Sequence, residues 1–323
     1  MKTLNFELST SNNLLAFSAG IDSSALFFLL LEHNIPFDIA IVDYNQRQQS
    51  KDEVIYATQL AHKYKKKCFI SEYPANQKFS EKEARDYRYN FFQEIITKNN
   101  YETLITAHQL NDKLEWFLMQ LTKGAGVTEL IGMEKVSHKN GYQLFKPLLE
   151  VSKKELQHYL DSNNHRYFID ESNSDEKYKR NYFRHNYSDK LLEKYQDGIL
   201  KSFQYLKKDN DSLFKDITET KIKDLSIYTY NDDLNIALRI IDKDLKKRGI
   251  IISSATRDQI KEDKEIVISH KIAVSISISH IYLAPSIIFK MDKKFKEKCR
   301  LQKIPQNIRP YICKLEQEQL FIL

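Results

Sequence analysis

Residues 14–31, LLAFSAGIDSSALFFLLL, constrain the fold of this chain more than any other stretch. An apolar run over residues 14–17 ends in the turn Ser18-Ala19-Gly20, and apolar periodicity resumes after Asp22, which predicts a buried strand, a tight loop and a helix. The first turn of a helix leaves backbone N–H groups unpaired at the positive end of the dipole. Such a loop could hold a polyphosphate without a lysine. The simpler alternative is that Asp22 or Ser23 only caps the helix.

The order of residues in this loop is more specific than a helix cap. It lacks the Gly-Lys-Ser/Thr of a Walker P-loop and the Gly-x-Gly-x-x-Gly of a dinucleotide-binding loop. Ser18-Ala19-Gly20-Ile21-Asp22-Ser23 instead resembles the Ser-Gly-Gly-x-Asp-Ser signature of the N-type ATP pyrophosphatases, which cleave ATP to AMP and pyrophosphate. Ala19 stands where that family has its first glycine, and its methyl group is tolerable if φ is negative.

Length and composition predict a two-domain globular protein. The 323 residues suffice for a full α/β unit and a smaller second domain. Cys68, Cys299 and Cys313 are far apart, which indicates neither a disulfide framework nor a thiolate metal site and suits a reducing compartment. No apolar stretch is long enough to span a bilayer, so we expect a cytoplasmic protein without a membrane partner. The net charge of +6 favours a polyanionic partner only weakly.

Strand and helix patterns alternate after the first loop, which predicts α/β architecture: a Rossmann-like parallel sheet with helices on both faces. The patterns place strands at 37–43, 67–71, 101–106 and 144–149, helices at 50–66, 80–98, 110–121 and 152–163, and a polar loop at 127–143. A ligand then belongs at the carboxyl ends of the strands, where the first loop and Asp43 fall. We expect domains at 1–215 and 216–323, the second a smaller mixed α/β domain containing a helix at 234–248 and a strand at 273–278 that is buried on one face.

His108, Asp112 and Glu115 follow the fourth predicted strand together. Asp112 and Glu115 project from one face of a helix start. They could act as a functional carboxylate pair, or Asp112 could cap the helix with Glu115 closing a capping box, and the two roles are compatible. A metal site is less well supported, because no further His or Cys lies at ligand spacing.

Five sequence blocks resemble, in order, those of the tRNA(Ile)-lysidine synthetases. They are Val42-Asp43 with Arg47; Glu83-Ala84-Arg85-x-x-Arg88-Tyr89; Thr106-Ala107-His108-Gln109-Leu110-Asn111-Asp112-Lys113-Leu114-Glu115 with Gly124-x-Gly126 and Leu130-x-Gly132-Met133; Lys146-Pro147-Leu148-Leu149; and Asp170-x-Ser172-Asn173 with Arg180-Asn181-x-x-Arg184. The resemblance covers about residues 14–190 well and the C-terminal third loosely.

The resemblance implies an enzyme that adenylates the C2 oxygen of cytidine 34 in tRNA(Ile) with a CAU anticodon, after which free L-lysine displaces AMP to give lysidine. It implies ATP and Mg²⁺ as cofactors, with ATP at Ser18, Ala19, Gly20, Ile21, Asp22 and Ser23 and the metal at Asp22. It also implies lysine binding at Asp112 and Glu115, tRNA binding at Arg85, Arg180, Asn181 and Arg184, and a catalytic set of Asp22, Arg88, His108, Asp112 and Arg184. The C-terminal domain, with Lys246-Lys247-Arg248, would bind the tRNA body.

Simpler roles remain open for some of these residues. The arginines could form ion pairs on helix surfaces. Residues 177–187 interleave cations with Tyr178, Tyr182, Phe183 and Tyr187, as an anticodon-loop contact would, yet the same helical spacing suits a core.

Other functions are possible on the same scaffold. A tRNA thiolase would need paired cysteines, which are absent here, and an amidotransferase or NAD synthase would leave the basic aromatic segment without a role. A nucleotide-regulated tRNA-binding protein is the non-enzymatic alternative. The sequence leaves the oligomeric state open, and a homodimer is compatible with it.

Overall fold

The computed structural model describes residues 12–45, 48–74, 80–139, 141–169 and 179–320. The chain divides into two compact units, one ending at Leu206 and the other beginning at Lys207. Among the described helices, none combines the length and the apolar character that a bilayer crossing requires.

The first unit contains a largely parallel sheet, as predicted. Its strands are β1 (Asn13–Ala16), β2 (Asp38–Asp43), β3 (Cys68–Glu72), β4 (Thr103–Ile105), β5 (Val136–Lys139) and β6 (Tyr142–Phe145). Within the described residues they follow the order β3-β2-β1-β4-β6-β5, and the β5–β6 pair is antiparallel while the other pairs are parallel. The strand order places β1 and β4 side by side, so the loops that follow them meet at one edge of the sheet.

Helices cover both faces of this sheet. In chain order, the described helices from residue 21 to residue 213 are α1 (Ile21–Glu32), α2 (Gln48–Lys63), α3 (Glu81–Asn99), α4 (Leu110–Leu121), α5 (Val127–Ile131), α6 (Lys153–Ser162), α7 (Lys179–Phe183) and α8 (Asp189–Leu213), with a π-helical turn at Arg184–Ser188 between α7 and α8. Neighbouring strand residues point to opposite faces: Leu15 packs in a cluster with α1, α2 and α6, while Leu14 packs with α3. Both faces are therefore buried, as a parallel sheet requires.

Two helix starts follow directly from the sequence. Ser152 caps α6 as one half of a capping box: its hydroxyl accepts from Glu155 N, and the Glu155 carboxylate accepts from Ser152 N at 2.9 Å. Ser80 caps α3 by accepting from Glu83 N, and its hydroxyl donates to the Glu83 carboxylate at 2.7 Å. Both contacts join residues three apart, so the local sequence specifies them.

The prediction of a polar loop at 127–143 is wrong. These residues form α5, β5 and the first part of β6. The β5 strand is polar because it lies at the edge of the sheet with most of its side chains in solvent, where alternation of apolar residues is not needed. Only its pairing with β6, not its composition, makes it a strand.

The second unit is built on an antiparallel sheet. Its elements are β7 (Glu219–Ile222), β8 (Leu225–Thr229), α9 (Leu234–Lys247), α10 (Ser254–Asp263), β9 (Glu265–Ile268), β10 (Ile272–Ile276), β11 (His280–Pro285), α11 (Lys293–Leu301) and α12 (Arg309–Gln317). Within the described residues the strand order is β7-β8-β11-β10-β9. The prediction that the strand near 273–278 is buried on one face is wrong, because Val274 packs with α9 on one side and Ala273 with α11 and α12 on the other.

Gly132 and Gly124 allow a prediction about the only tryptophan, Trp116. Both glycines have positive φ, at +66° and +74°, but a Cβ at Gly132 would lie 2.1 Å from Trp116 Cδ1, whereas one at Gly124 would meet nothing within 4 Å. We expect Gly124→Ala to cost about 1 kcal/mol through backbone strain, and Gly132→Ala at least about 2 kcal/mol because the indole must also move. Gly132→Ala alone should shift the tryptophan fluorescence, and identical emission spectra for the two variants would contradict this packing.

Candidate active site

The carboxyl edge of the first sheet holds a cavity of about 360 Å³. It lies where the chain leaves β1, β2 and β4, as predicted for a ligand site of this topology. Its lining includes Phe17, Ser18, Asp22, Ser23, Val42, Tyr44, Glu81, Arg88, Tyr89, Thr106, His108, Asp112, Lys153, Arg180, Asn181 and Arg184. Asp43 ends β2 nearby, and its carboxylate accepts a hydrogen bond from Asn45 N at 2.8 Å.

The loop between β1 and α1 is held by hydroxyl groups. Ser23 Oγ lies 3.1 Å from both the backbone N and the Oγ of Ser18, and Ser24 Oγ donates to the Ala19 carbonyl at 3.1 Å. Gly20 is the N-cap residue of α1, and no side chain within the described residues caps this helix. The alternative that Asp22 or Ser23 serves as the N-cap is therefore wrong. The uncapped first turn leaves N–H groups available to an anion.

Ala19 does not adopt the negative φ that would accommodate its methyl group most easily. Its φ is +58°, in the left-handed region, and the residue is fully buried. A non-glycine residue there costs roughly 1–2 kcal/mol. Its carbonyl accepts hydrogen bonds from Ser24 Oγ and from Phe168 N, which lies 2.9 Å away, and these bonds hold the strained conformation.

Asp22 lies in the first turn of α1 with one oxygen buried. Its Oδ1 atom has no hydrogen-bond partner within the described residues. Burial, followed by the nearby Asp112 carboxylate, raises the pKa of Asp22 to about 7, although Lys153 and Arg184 oppose this. A buried, unpartnered carboxylate oxygen is costly in a native structure, which marks this position as a place for a cation or a hydrogen-bond donor.

Asp112 and Glu115 form a compact ion cluster with Arg180 and Arg184. Arg180 Nη2 donates to Asp112 Oδ1 at 2.6 Å and its Nε donates to Glu115 Oε2 at 2.8 Å. Arg184 Nε donates to Glu115 Oε1 at 2.5 Å and its Nη2 to Asp112 Oδ1 at 3.3 Å. Both carboxylates are buried, so each arginine bridges two buried acids rather than forming a surface ion pair.

Asp112 also has a local structural role, which differs from the one expected. The N-cap of α4 is Gln109, and Asp112 closes the capping box by accepting from Gln109 N at 3.1 Å. Burial alone would raise the pKa of Asp112, but Arg180 and the other neighbouring cations outweigh burial and hold it below its ordinary value. Burial raises the pKa of Glu115 despite the opposing arginines.

His108 is a neutral group in this setting. Burial lowers its pKa to about 4, with the Asp112 carboxylate opposing and Lys146 assisting. Its Nδ1 lies 2.9 Å from Thr106 Oγ1, which fixes the ring. His108 can therefore exchange hydrogen bonds at neutral pH without carrying charge.

The remaining predicted residues lie at different depths. Arg88 lines the cavity beside Tyr44, whose pKa is raised by burial and lowered in part by that guanidinium. Asn181 is buried in the wall. Arg85 is exposed, with its guanidinium 4.9 Å from the centre of the Tyr89 ring.

The basic aromatic segment divides between core and surface. Phe183 is buried, whereas Tyr182 and Tyr187 are exposed and their ring centroids lie 5.8 Å apart. The described residues do not include Arg47, Lys177, Tyr178 or the block Asp170-x-Ser172-Asn173.

A second cavity of about 600 Å³ adjoins the first, because His108, Asp112 and Arg180 line both. Arg85, Trp116 and Lys146 also line the second cavity. Burial lowers the pKa of Lys146 to about 8. The ion cluster thus forms a common wall between two spaces.

Several lining residues were missed in the sequence. Lys153 lies just after the capping serine of α6, where it is indistinguishable from a solvated helix residue until the fold brings α6 to the sheet edge. Tyr44 directly follows the last residue of β2, and no pattern in the sequence marks it as a lining residue. Within the described residues, no group of three His, Cys, Asp or Glu side chains is placed to hold a metal ion.

Comparisons with known proteins agree on one family. Residues 1–191 match the model of the PP-loop domain. The chain is 40% identical over 306 residues to the tRNA(Ile)-lysidine synthase of Campylobacter jejuni, covering 94% of this chain and 93% of the relative. The corresponding enzyme of Helicobacter pylori is 37% identical over 308 residues, covering 94% and 90%.

A solved structure supports the fold alone. The U34-tRNA thiolase NcsA from Methanococcus maripaludis, with its [4Fe-4S] cluster, superposes with a TM-score of 0.50 and 16% identity over 64% of this chain and 75% of that one. The three cysteines of the present chain are unpaired, with Cys299 and Cys313 buried.

The raised pKa of Asp22 predicts that this residue destabilises the free protein. The folded state holds the proton more tightly than the unfolded state, so the contribution of Asp22 to stability is lost as pH rises from about 4 through about 7. We expect Asp22→Asn to be more stable than the wild type at pH 8, by on the order of 4 kcal/mol, and close to it near pH 4.

Thermal unfolding at both pH values would measure this, with Asp86→Asn on the exposed face of α3 as the control. An Asp22→Asn variant with the same midpoint as the wild type at pH 8 would contradict the burial of this carboxylate.

Proposed function

The chain belongs to the tRNA(Ile)-lysidine synthase family of PP-loop ligases, and from this membership we propose that it joins lysine to C2 of cytidine 34 in tRNA(Ile). In this reaction the C2 oxygen of cytidine displaces pyrophosphate from the α-phosphorus of ATP. The lysine ε-nitrogen then bonds to C2 as AMP departs with that oxygen. The observation that carries the proposal is the juxtaposition, at one sheet edge, of an uncapped helix start, an unpartnered carboxylate and a buried arginine–carboxylate cluster.

The ATP phosphates would lie on the loop from Ser18 to Ser23. The free N–H groups of the first turn of α1 and the helix dipole favour an anion there. The small side chains of Ala19 and Gly20 let the backbone approach the phosphates closely.

Mg²⁺ fits the same place. Asp22 Oδ1 is buried and unpartnered within the described residues, and Mg²⁺ in nucleotide sites takes one or two carboxylates together with phosphate oxygens. When bound there, the ion would offset the charge that develops as pyrophosphate leaves. The proximity of such a cation would also lower the pKa of Asp22, so that binding relieves the cost of its burial.

Arg88, Arg180 and Arg184 are the cations suited to the phosphates and to the reacting base. All three line the first cavity. Guanidinium groups bind phosphate oxygens in a bidentate manner, and they keep their charge at every physiological pH. We assign Arg184 to the reacting centre because its side chain is the more buried of the cluster pair, at 11% exposed against 36% for Arg180.

Lysine binding at Asp112 and Glu115 requires an exchange of ion pairs. Arg180 and Arg184 occupy these carboxylates in the free protein, which leaves the cluster without net negative charge. The arrival of ATP offers the arginines other anionic oxygens, and the two carboxylates then become available to the ammonium groups of lysine. His108, neutral beside Asp112, would orient this exchange through hydrogen bonds.

Cytidine 34 would reach the shared wall through the second cavity. Tyr89 and Trp116 supply flat side chains there, and Arg85 supplies a cation, which is the combination that holds unstacked bases. A base that undergoes chemistry must leave its stack, so a cavity beside the ATP site is needed. We place this reaction in the cytoplasm, with tRNA as the macromolecular partner.

The second unit would hold the tRNA body, although its most basic run is already paired. Lys246 contacts Asp242, Lys247 lies 3.5 Å from Glu219, and Arg248 binds Asp244. These contacts give the side chains of Lys246-Lys247-Arg248 a largely structural role at the C-terminal end of α9. Phosphate contacts by this unit must then also use cations outside the run.

The direct test is mass spectrometry of tRNA nucleosides after incubation with ATP, lysine and tRNA(Ile) bearing C34. We expect lysidine, AMP and pyrophosphate in equal amounts, and a folded Asp22→Asn variant that forms no AMP. Product containing sulfur, or equal turnover on free cytidine, would overturn the assignment. Binding of tRNA without any ATP-dependent product would favour a nucleotide-regulated binding protein.

The ion-pair exchange predicts that ATP and lysine bind cooperatively. Lysine should bind more tightly with a non-hydrolysable ATP analogue present, by about 5-fold or more, and Asp112→Asn should raise the KM for lysine more than the KM for ATP. Calorimetric titration with and without the analogue measures the coupling. If Asp112→Asn instead lowers stability and leaves the KM for lysine unchanged, then Asp112 serves only the capping box of α4 and the arginine cluster.

A further inference from the structure

Lys153 is a cation that lines the first cavity, and hydrogen bonds hold the backbone at its position. It is the first residue of α6, and its partly buried side chain lines the cavity. The preceding Ser152 is held by the capping box with Glu155, and Lys153 N donates to Asn111 Oδ1 at 3.1 Å. These backbone contacts fix where the side chain begins.

The ammonium group of Lys153 has neither a hydrogen bond nor an ion pair within the described residues, unlike the neighbouring cations. Arg180 and Arg184 each bind two carboxylates. Lys153 and Asp22 line the same cavity without forming an ion pair with each other. An unpaired ammonium and an unpartnered carboxylate oxygen therefore face the same cavity.

We propose that Lys153 binds the part of ATP that leaves as pyrophosphate, an inference that rests on the proposed function. The loop from Ser18 to Ser23, which we call the phosphate loop, contains no lysine, whereas a Walker P-loop includes a phosphate-binding lysine. Here α6 supplies the missing cation from another part of the fold. A polyphosphate with its divalent cation is the ligand class that complements both groups: the phosphate oxygens meet Lys153, and the cation meets Asp22.

The position of Asp22 indicates which phosphates are involved. It lies in the first turn of α1, where the free N–H groups would hold phosphate, and a divalent cation held with the help of its carboxylate would offset the charge of the departing pyrophosphate. Arg184 is assigned to the reacting centre at the α-phosphorus, so we assign Lys153, which lines the same cavity and has no ion pair within the described residues, to the phosphates that depart.

The test is equilibrium binding of three probes, ATP, inorganic pyrophosphate and AMP, to the full chain in the presence of Mg²⁺. We expect Lys153→Met to weaken ATP and pyrophosphate binding by about tenfold or more and to change AMP binding by less than about twofold. Lys153→Arg should retain most of the affinity because it keeps the charge. Lys154→Met is the matched control, since Lys154 is the next residue but is 83% exposed and faces Glu193 instead.

Two outcomes would overturn the inference. Unchanged pyrophosphate binding by Lys153→Met would remove Lys153 from the phosphate site, and equal losses for ATP and AMP would place it at the α-phosphate. If circular dichroism shows that Lys153→Met does not fold, the same binding measurements are made on Lys153→Gln. A wild-type chain that binds none of the three probes would instead refute the proposed function, so the two failures are distinguishable.

Discussion

The contact between two buried acids on α4 and two arginines on α7 and the following π-helical turn organises the site. Glu115 and Asp112 are nearly inaccessible, and together they receive four hydrogen bonds from Arg180 and Arg184. Burying such charges gains little stability relative to an apolar core, but removing one partner costs several kcal/mol. The cluster therefore fixes where α7 lies against α4 more than it adds to stability. The two cavities share a wall because this contact exists.

Two features of the loop between β1 and α1 lower the stability of the folded protein. Ala19 is held at positive φ, and Asp22 has a buried carboxylate oxygen without a partner among the described residues. Neither feature is needed to connect β1 to α1, because a glycine would relieve the first and an amide would lower the cost of the second. Local costs of this kind persist where a ligand supplies the compensating contacts. Both costs lie on the residues proposed to meet ATP and its cation.

The sequence predicts the parts of the structure that depend on near neighbours. The strand-loop-helix at β1 and α1 and the capping box at Ser152 are examples, since each is specified by residues within a few positions. The edge strand β5, the arginine partners of Glu115 and the position of Lys153 depend on contacts between residues far apart in the chain. Composition does not encode such contacts. The resemblance to a family identifies Asp112, Glu115, Arg180 and Arg184 as functional residues. Only the structure shows that the two acids bind the two arginines.

The charges around the first cavity also suggest an order of binding. Four cations, Arg88, Lys153, Arg180 and Arg184, are accompanied by four acids, Glu81, Asp22, Asp112 and Glu115, and burial raises the pKa of Asp22 to about 7. The free site is therefore close to neutral and offers little attraction to a cationic amino acid. Binding of ATP at the proposed site would add several negative charges that one divalent cation would neutralise only in part, and in a partly buried site such an excess acts strongly on a second ligand. Under the proposed function, lysine, with two ammonium groups and one carboxylate, would then enter a site of opposite sign, so the electrostatics of this cavity favour binding of ATP before lysine.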